Sequence, residues 1–183
     1  MTRAVPFGRA VLLVLAMGLA ACQAPNGAGP TDTGSRDRSV PISSTTRGTP
    51  EDMSGQWVVE RALTGGKYAT AGDRIQIAAD TSENWQWTIT SGTRAVRFAT
   101  ENSLPGRYRF VTTNGARRGA GAPELWVLWV DDDYRTALLG APDGRLAWII
   151  DRRTTGGADR IDAAVRLAAA NGYDPNDFIP LNP

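Results

Sequence analysis

Eight short segments of alternating apolar and polar residues lie between residues 57 and 151, and this pattern constrains the fold more than any other feature of the chain. Alternation with a period of two is typical of strands that have one buried and one exposed face. It is clearest in the run Trp-Gln-Trp-Thr-Ile-Thr at residues 85–90. The predicted strands are Trp57–Leu63, Asp73–Ala79, Asn84–Thr90, Arg94–Thr100, Arg107–Thr112, Glu124–Asp131, Tyr134–Gly140 and Arg145–Asp151.

Turn-forming residues separate these segments. Gly and Pro mark turns at residues 64–66, 91–92, 105–106 and 142–144, and short turns join strands that are antiparallel neighbours. Because an open sheet exposes unpaired edges, eight amphipathic strands of this kind favour a sheet that closes on itself. We therefore predict an all-β fold, an eight-stranded antiparallel up-and-down barrel.

After the last predicted strand, the hydrophobic period changes to that of a helix. Apolar residues recur at i, i+3, i+4 and i+7 from Ile161 to Ala168, and Asn171-Gly172 is a typical helix end. This predicts one amphipathic C-terminal helix that packs its narrow, alanine-rich face on the outside of the barrel. Residues 177–180 are predicted to be either a short closing strand or an extended tail.

The first 22 residues have the pattern of a secretory signal. Arg3 and Arg9 precede the uncharged residues 10–21, which as a helix would span about 18 Å, less than the ~30 Å hydrocarbon core of a bilayer. The run ends in Leu19-Ala-Ala-Cys22, which resembles a bacterial lipobox, whose cysteine is lipidated and becomes the first residue of the mature chain. We predict a signal peptide and lipidation at Cys22. The alternative is ordinary cleavage that leaves a buried or free thiol.

Residues 23–52 are predicted to be a disordered tether. They are rich in Gly, Pro, Ser and Thr, contain no aromatic residue, and have Val40 and Ile42 as their only large aliphatic side chains. Such a segment buries too little apolar surface to offset the entropy of ordering it. The predicted organisation is a signal peptide at 1–21, the lipidated cysteine and tether at 22–52, and the barrel with its helix at 53–183.

Composition excludes several kinds of chemistry. The chain has no histidine and one cysteine, which excludes a Ser-His-Asp triad, Cys-His catalysis, a CxxC redox site and metal sites built from His or Cys. It has 20 basic and 19 acidic side chains and no basic run, so it lacks the electrostatic footprint of a nucleic-acid-binding protein. We therefore expect no enzyme activity, no cofactor and no nucleic-acid partner.

Three short motifs carry a resemblance to a known family. Gly55-Gln-Trp57 opens the first predicted strand, Asp133-Tyr134 opens the seventh, and Arg152 closes the eighth. With one helix after the barrel, this order resembles the lipocalin family. The stretches 131–152 and 171–179 resemble the bacterial lipoprotein lipocalins of the outer membrane.

The resemblance extends over residues 55–183, with three departures. Val58 stands where a tyrosine often follows the tryptophan, and Asp132 stands where a threonine is usual. The first loop, residues 64–72, is short for a family in which this loop commonly forms a lid.

The resemblance implies structural roles for Gly55, Trp57, Asp133, Tyr134 and Arg152. Trp57 would plug one end of the barrel, with the Arg152 guanidinium over its indole in a cation–π contact of about 0.5–2 kcal/mol. The alternative is an ordinary core tryptophan and an exposed arginine.

The acidic run Asp131–Asp133 could hold Ca²⁺, since carboxylate oxygens suit hard cations. Three consecutive carboxylates in a tight turn cannot easily all face one ion. A solvated turn is therefore the favoured interpretation, and we expect no metal site.

The resembled fold points Trp57 and Arg152 inward, and alternation propagates this direction along the strands. Arg61 is the predicted cation of the interior; it either meets a carboxylate or phosphate of a ligand or points outward after a bulge. An eight-stranded barrel either holds one small ligand or fills with its own side chains. The predicted interior residues are Val59, Arg61, Trp85, Trp87, Phe98, Tyr108, Phe110, Val127, Trp129, Tyr134, Thr136, Leu138, Leu146, Trp148 and Ile150.

The favoured function is a binding protein that holds a fatty acid, a lysophospholipid or a similar small hydrophobic ligand such as palmitate for storage or transport. Gln23, rather than Asp, follows the lipobox cysteine, and by resemblance to the usual sorting rule this points to a lipid anchor in the outer membrane, facing the periplasm. The alternative is a small-barrel lipoprotein that inhibits a protease, although such proteins often carry a disulfide that this chain cannot form.

Overall fold

The computed structural model describes residues 34–65, 68–79, 84–111, 124–154 and 157–181. Its central feature is a closed antiparallel barrel of eight strands, which confirms the predicted fold class. The strands are β1 (Gly55–Leu63), β2 (Arg74–Ala79), β3 (Asn84–Ser91), β4 (Arg94–Leu104), β5 (Arg107–Val111), β6 (Glu124–Val130), β7 (Thr136–Gly140) and β8 (Ala147–Asp151).

The barrel closes because β1 pairs along both of its edges. One edge pairs with β8, and on the other edge Gly55–Val58 pair with β2. Farther along that second edge, Arg61–Leu63 pair with a ninth strand, β9 (Phe178–Pro180). Residues 178–180 are thus a short closing strand and not an extended tail, the two alternatives that the sequence left open.

Strand direction defines two ends of the barrel. The closed end holds the start of β1, the β4–β5 and β6–β7 turns and the end of β8. The open end holds the β1–β2, β3–β4 and β7–β8 loops. A short helix, α1 (Pro50–Met53), precedes β1 at the closed end, and the side chain of its N-cap Thr49 accepts a hydrogen bond from the Asp52 N–H.

The C-terminal helix α2 (Ala158–Ala170) packs on the outside of the sheet as its pattern predicts. Its fully buried residues, Ala164 and Ala168, are small enough for the helix to lie close to the strands. They share a second apolar cluster with Leu138, Ile149 and other outward residues of the barrel wall. The core therefore has two layers, one inside the barrel and one between barrel and helix.

The prediction of a disordered tether is wrong for residues 34–52. Arg36 is 8% exposed and forms a β-bridge with Tyr173. Its guanidinium donates to the Asn171 carbonyl at 2.7 Å, to the Pro142 carbonyl at 3.2 Å and to the Val40 carbonyl. The segment is held by hydrogen bonds of polar groups rather than by burial of apolar side chains. Its low hydrophobicity therefore did not indicate that it is ordered.

The same segment continues across the barrel to the closed end. The Thr45 N–H donates to the Val127 carbonyl at 2.8 Å, and the buried Tyr108 hydroxyl donates to the Gly48 carbonyl at 2.8 Å. Met53 is fully buried in the interior cluster. The ordered domain therefore begins at least as early as residue 34, not at residue 53.

The predicted signal peptide, the lipobox and Cys22 lie outside the described residues. Within the part of the chain that the structure describes, no helix is both long enough and apolar enough to span a bilayer.

Candidate functional site

The closed end is built around Trp57 and Arg152, as the resemblance implies. The Arg152 guanidinium carbon lies 3.8 Å from the centroid of the Trp57 ring, and the indole Nε1 donates to the Met53 carbonyl at 2.8 Å. Gly55 has φ +103°, and a side chain there would meet Arg152 Nη1 at 2.7 Å. A glycine is therefore required two residues before the tryptophan, both for backbone conformation and for space.

Arg152 also ties three segments of the chain together. It donates to the carbonyls of Ser54 at 2.7 Å, Asp52 at 3.1 Å and Tyr134 at 3.2 Å. Burial lowers the pKa of this guanidinium below its usual value, but an arginine stays charged at any physiological pH. This end of the barrel is therefore closed by side chains and backbone that are already paired with one another.

The acidic turn separates its three carboxylates. Asp131 is buried and accepts from the N–H groups of Arg135 and Thr136 at 2.5 and 2.6 Å. Burial raises the pKa of Asp131. These hydrogen bonds and the Arg135 guanidinium lower that pKa by more than burial raises it, so the pKa lies below the usual range. Asp132 pairs with Arg47, and Asp133 pairs with Arg135 at 2.8 Å. Arg47 and Arg135 thus pair with the carboxylates of the turn, and the three carboxylates face different partners rather than one common point.

The barrel interior gathers most of the predicted lining into one buried apolar cluster. The rings of Trp87 and Phe98 are stacked with centroids 6.1 Å apart, and Phe98 meets Phe110 edge-on at 4.6 Å. The predicted residues that belong to this cluster are Val59, Trp85, Trp87, Phe98, Tyr108, Phe110, Val127, Leu146, Trp148 and Ile150.

Two predicted lining residues lie outside because β-bulges change the phase of their strands. Register shifts between Val59 and Arg61 in β1, and between Val127 and Trp129 in β6. Each bulge inserts a residue and turns the following side chains to the opposite face. Trp129 therefore joins the outer cluster beneath α2, and Arg61 lines a small exterior pocket beside Pro180. Of the two alternatives for Arg61, the structure therefore has the outward side chain after a bulge, and Arg61 is not a cation of the interior.

The prediction for β7 is wrong because the strand starts later than expected. Tyr134 has φ +56° and belongs to the turn, so alternation cannot be propagated through it. Leu138 lies in the outer cluster, whereas Ala137 and Leu139 face the interior. Thr136 also faces outward, where its hydroxyl donates to Asp151 at 2.5 Å. Tyr134 packs against the interior cluster from the turn, under the Arg47 guanidinium.

A pocket of about 510 Å³ opens at the open end of β2, β3 and β4. We call it the mouth pocket. Its apolar base includes Ile89 and Val96, which face the interior cluster. Arg94 is exposed at the start of β4, whereas Asp73 is buried and its carboxylate accepts from the Thr70 N–H and hydroxyl. Its lining residues are Tyr68, Ala69, Thr70, Asp73, Ile89, Ser91, Arg94 and Val96.

None of the eight mouth-pocket residues is among the predicted interior residues, and Tyr68 is the one aromatic residue of the eight. It lies in the first loop with φ +78°, and although 44% exposed its ring contacts Phe110 at 5.4 Å and Phe98 at 5.9 Å between centroids. A short loop thus places one aromatic side chain over the interior rings. The one available signal was an aromatic residue in an otherwise polar loop, which does not specify where its ring points.

Comparison with known proteins adds two findings. A family model described as a lipocalin-like domain matches residues 66–183, which include the mouth pocket and the strands from β2 to β9. A stretch of 51 residues is 35% identical to temperature-induced lipocalin-1 from Arabidopsis thaliana, and it covers 28% of this chain and 27% of that relative. This match therefore spans about a quarter of the relative's length.

Proposed function

The chain belongs to the lipocalin-like domain family, and from this premise we propose that it binds a small hydrophobic or amphiphilic ligand through the open end of its barrel. The observation that carries the proposal is the continuity between the mouth pocket and the interior aromatic cluster at Ile89 and Val96. Concave apolar sites with a few polar groups at one side are the usual form of ligand pockets. Binding rather than catalysis is the activity that this arrangement supports.

The polarity of the two regions favours an amphiphile. The interior cluster consists of apolar and aromatic side chains, which suit an acyl chain whose burial contributes about 0.8 kcal/mol per methylene. The rim carries the exposed side chains of Arg94 and Ser91, which suit a charged or polar head group that stays near water. We propose a fatty acid, a lysophospholipid or a similar lipid as the ligand, and storage or transport as the role.

A pair of tryptophan substitutions on β4 tests where the ligand binds. Val96 faces the mouth pocket, whereas its neighbour Ala95 is exposed on the opposite face. Because Val96→Trp fills the pocket, we expect it to weaken binding of palmitate or lysophosphatidylcholine more than tenfold, while Ala95→Trp leaves binding unchanged. The measurement is a titration of purified, delipidated protein with the lipid, monitored by isothermal titration calorimetry. Absence of saturable binding by the unsubstituted protein for every long-chain amphiphile would show instead that the barrel is a packed core.

We also propose that the protein is anchored by a lipid on Cys22 in the outer membrane of a bacterium and faces the periplasm. The support is the sequence pattern Leu19-Ala-Ala-Cys22 after a short apolar run. Two or three acyl chains hold a protein on a bilayer where one gives marginal binding.

Cys22→Ser tests the anchor. In Gram-negative cells, we expect the substituted protein to lose its acyl mass and to move from the outer-membrane fraction to the soluble periplasmic fraction. Mass spectrometry and membrane fractionation measure the two effects. Acylation and membrane association that survive the substitution would refute the assignment.

A further inference from the structure

A small pocket on the outside of the barrel has one acidic and one basic side chain in its wall. It lies between β1, β9, the residue Thr154 after β8 and the helix α2, and its volume is about 230 Å³. It shares no lining residue with the mouth pocket. We call it the outer pocket. Its lining residues are Glu60, Arg61, Thr154, Ile161, Pro180 and Leu181.

The β-bulge in β1 brings both charged residues into this wall. Val59 pairs with Ile150 of β8, and Arg61 pairs with Ile149. Two successive residues of β8 thus face residues that are two apart on β1, which makes Glu60 the inserted residue of the bulge. Consecutive side chains of a regular strand point to opposite faces, but Glu60 and Arg61 both line the outer pocket. Bulges that redirect a side chain in this way are frequent beside active sites.

The Glu60 carboxyl group is buried and incompletely paired. Glu60 is 9% exposed, and its Oε1 has no hydrogen-bond partner among the residues that the structure describes. Burial and the charge of Asp151 raise the pKa of this carboxyl, and the smaller effect of Arg61 lowers it. A buried acceptor without a donor is destabilising, and a buried charge without a counter-charge is more so. The wall of the outer pocket therefore contains an acceptor that a cationic donor of a ligand can satisfy.

The nearby arginine of α2 does not supply that donor. Arg160 donates from Nη2 to Asp151 at 3.3 Å and from Nε to the Thr136 hydroxyl at 2.8 Å. Arg61 itself forms no hydrogen bond or ion pair within the described part of the chain. The outer pocket thus offers a carboxylate and a guanidinium that are both available to a ligand.

We propose that the outer pocket binds a small zwitterion, an α-amino acid with an aliphatic side chain. Its ammonium group donates to Glu60, and its carboxylate accepts from Arg61. Its side chain contacts the apolar part of the wall, which is formed by Ile161, Pro180 and Leu181. A ligand with one charge would leave the opposite charge of the pocket unpaired. The pocket is smaller than the about 300–1,000 Å³ typical of sites for drug-sized ligands, which suits a molecule of this size. This site is additional to the proposed lipid site.

Three ligands with nearly the same shape separate the two charges. L-leucine carries both, 4-methylpentanoate lacks the ammonium group, and 3-methylbutylamine lacks the carboxylate. In isothermal titration calorimetry, we expect the unsubstituted protein to bind leucine at least about tenfold more tightly than either of the others, as for hydrogen bonds between charged groups. Equal binding of leucine and one of the other two ligands overturns the inference. So does the absence of saturable leucine binding up to about 10 mM.

Two substitutions assign the charges to residues. Glu60→Gln should abolish the preference for leucine over 4-methylpentanoate, and Arg61→Gln should abolish the preference for leucine over 3-methylbutylamine. Glu51→Gln and Arg74→Gln change exposed residues outside the outer pocket and are the matched controls, which should keep both preferences. Circular dichroism verifies that each variant is folded. A preference that persists after its substitution contradicts the assignment, and the comparison of the three ligands on the unsubstituted protein does not depend on any variant.

Val96→Trp separates this site from the lipid site. Because it fills the mouth pocket, which has no residue in common with the outer pocket, it should leave leucine binding unchanged. Loss of leucine binding in this variant would place the amino acid in the mouth pocket and overturn the inference. Tighter binding of phosphoethanolamine than of leucine would assign the site to a lipid head group instead. Leucine binding without any binding of palmitate or lysophosphatidylcholine would refute the proposed lipid-binding function alone.

Discussion

Trp57→Ala is expected to lower the free energy of unfolding by about 3–5 kcal/mol, because it removes a fully buried indole and leaves a cavity at the closed end. The loss also leaves the Arg152 guanidinium without the ring on which it stacks. Urea denaturation followed by circular dichroism measures the change. A loss below about 1 kcal/mol would contradict the role of Trp57 as the plug of the barrel.

A second tryptophan–arginine pair provides the control. The Arg107 guanidinium lies 3.9 Å from the centroid of Trp126, a geometry close to that of Arg152 and Trp57, but Trp126 is on the outside of the barrel and only partly buried. Trp126→Ala should therefore cost much less than Trp57→Ala, about 1–2 kcal/mol, since little cavity is created.

The stability effects of Trp57→Ala and Arg152→Ala should not add. Arg152→Ala removes the cation–π contact and leaves carbonyls of Asp52, Ser54 and Tyr134 without their donor, so we expect a loss of about 2–4 kcal/mol. Because both single changes remove the same stacking contact, the double variant should cost about 0.5–2 kcal/mol less than the sum. Strict additivity in this double-mutant cycle would show that the two side chains are energetically independent.

Removing residues 34–52 is expected to destabilise the barrel by at least 3–5 kcal/mol. A chain that begins at Met53 loses the buried Arg36 with its three carbonyl partners, the Thr45 bond to Val127 and the acceptor of the Tyr108 hydroxyl. Each buried hydrogen bond contributes about 0.5–1.5 kcal/mol, and those of a charged donor contribute more. Thermal and urea unfolding of this chain, compared with one that begins at Gly34, measure the effect.

The chain that begins at Gly34 is the matched control, since it keeps every contact named above. Arg36→Ala in that chain should account for about 1.5–3 kcal/mol of the loss, as for a buried charged donor. Equal stability of the two shortened chains would mean that the packing of this segment contributes nothing to the fold, and that a domain boundary at residue 53 is adequate.

Local patterns determined the secondary structure because they depend on near neighbours in the chain. Alternation placed all eight strands, with differences of a few residues at their ends, and the change of period placed the helix. The Gly55–Trp57 motif and Arg152 also behaved as predicted, since a glycine with positive φ and a buried tryptophan leave few alternatives at the start of the barrel. Aromatic residues on regular strands, such as Phe98 and Phe110, were correctly placed inside for the same reason.

Tertiary structure alone decided the residues that alternation misplaced. A bulge in β1 and another in β6 turned Arg61 and Trp129 outward. Bulges arise from how neighbouring strands bend and twist to close a barrel, and no single strand encodes this.

The order of residues 34–52 depends on hydrogen bonds from Arg36 to the carbonyls of Pro142 and Asn171, which lie more than 100 residues away in the chain. The mouth pocket, likewise, depends on where the first loop lays the Tyr68 ring. The sequence thus determined which segments are strands and helix. Closure of the barrel decided which side chains face the interior, because that depends on contacts between segments far apart in the chain.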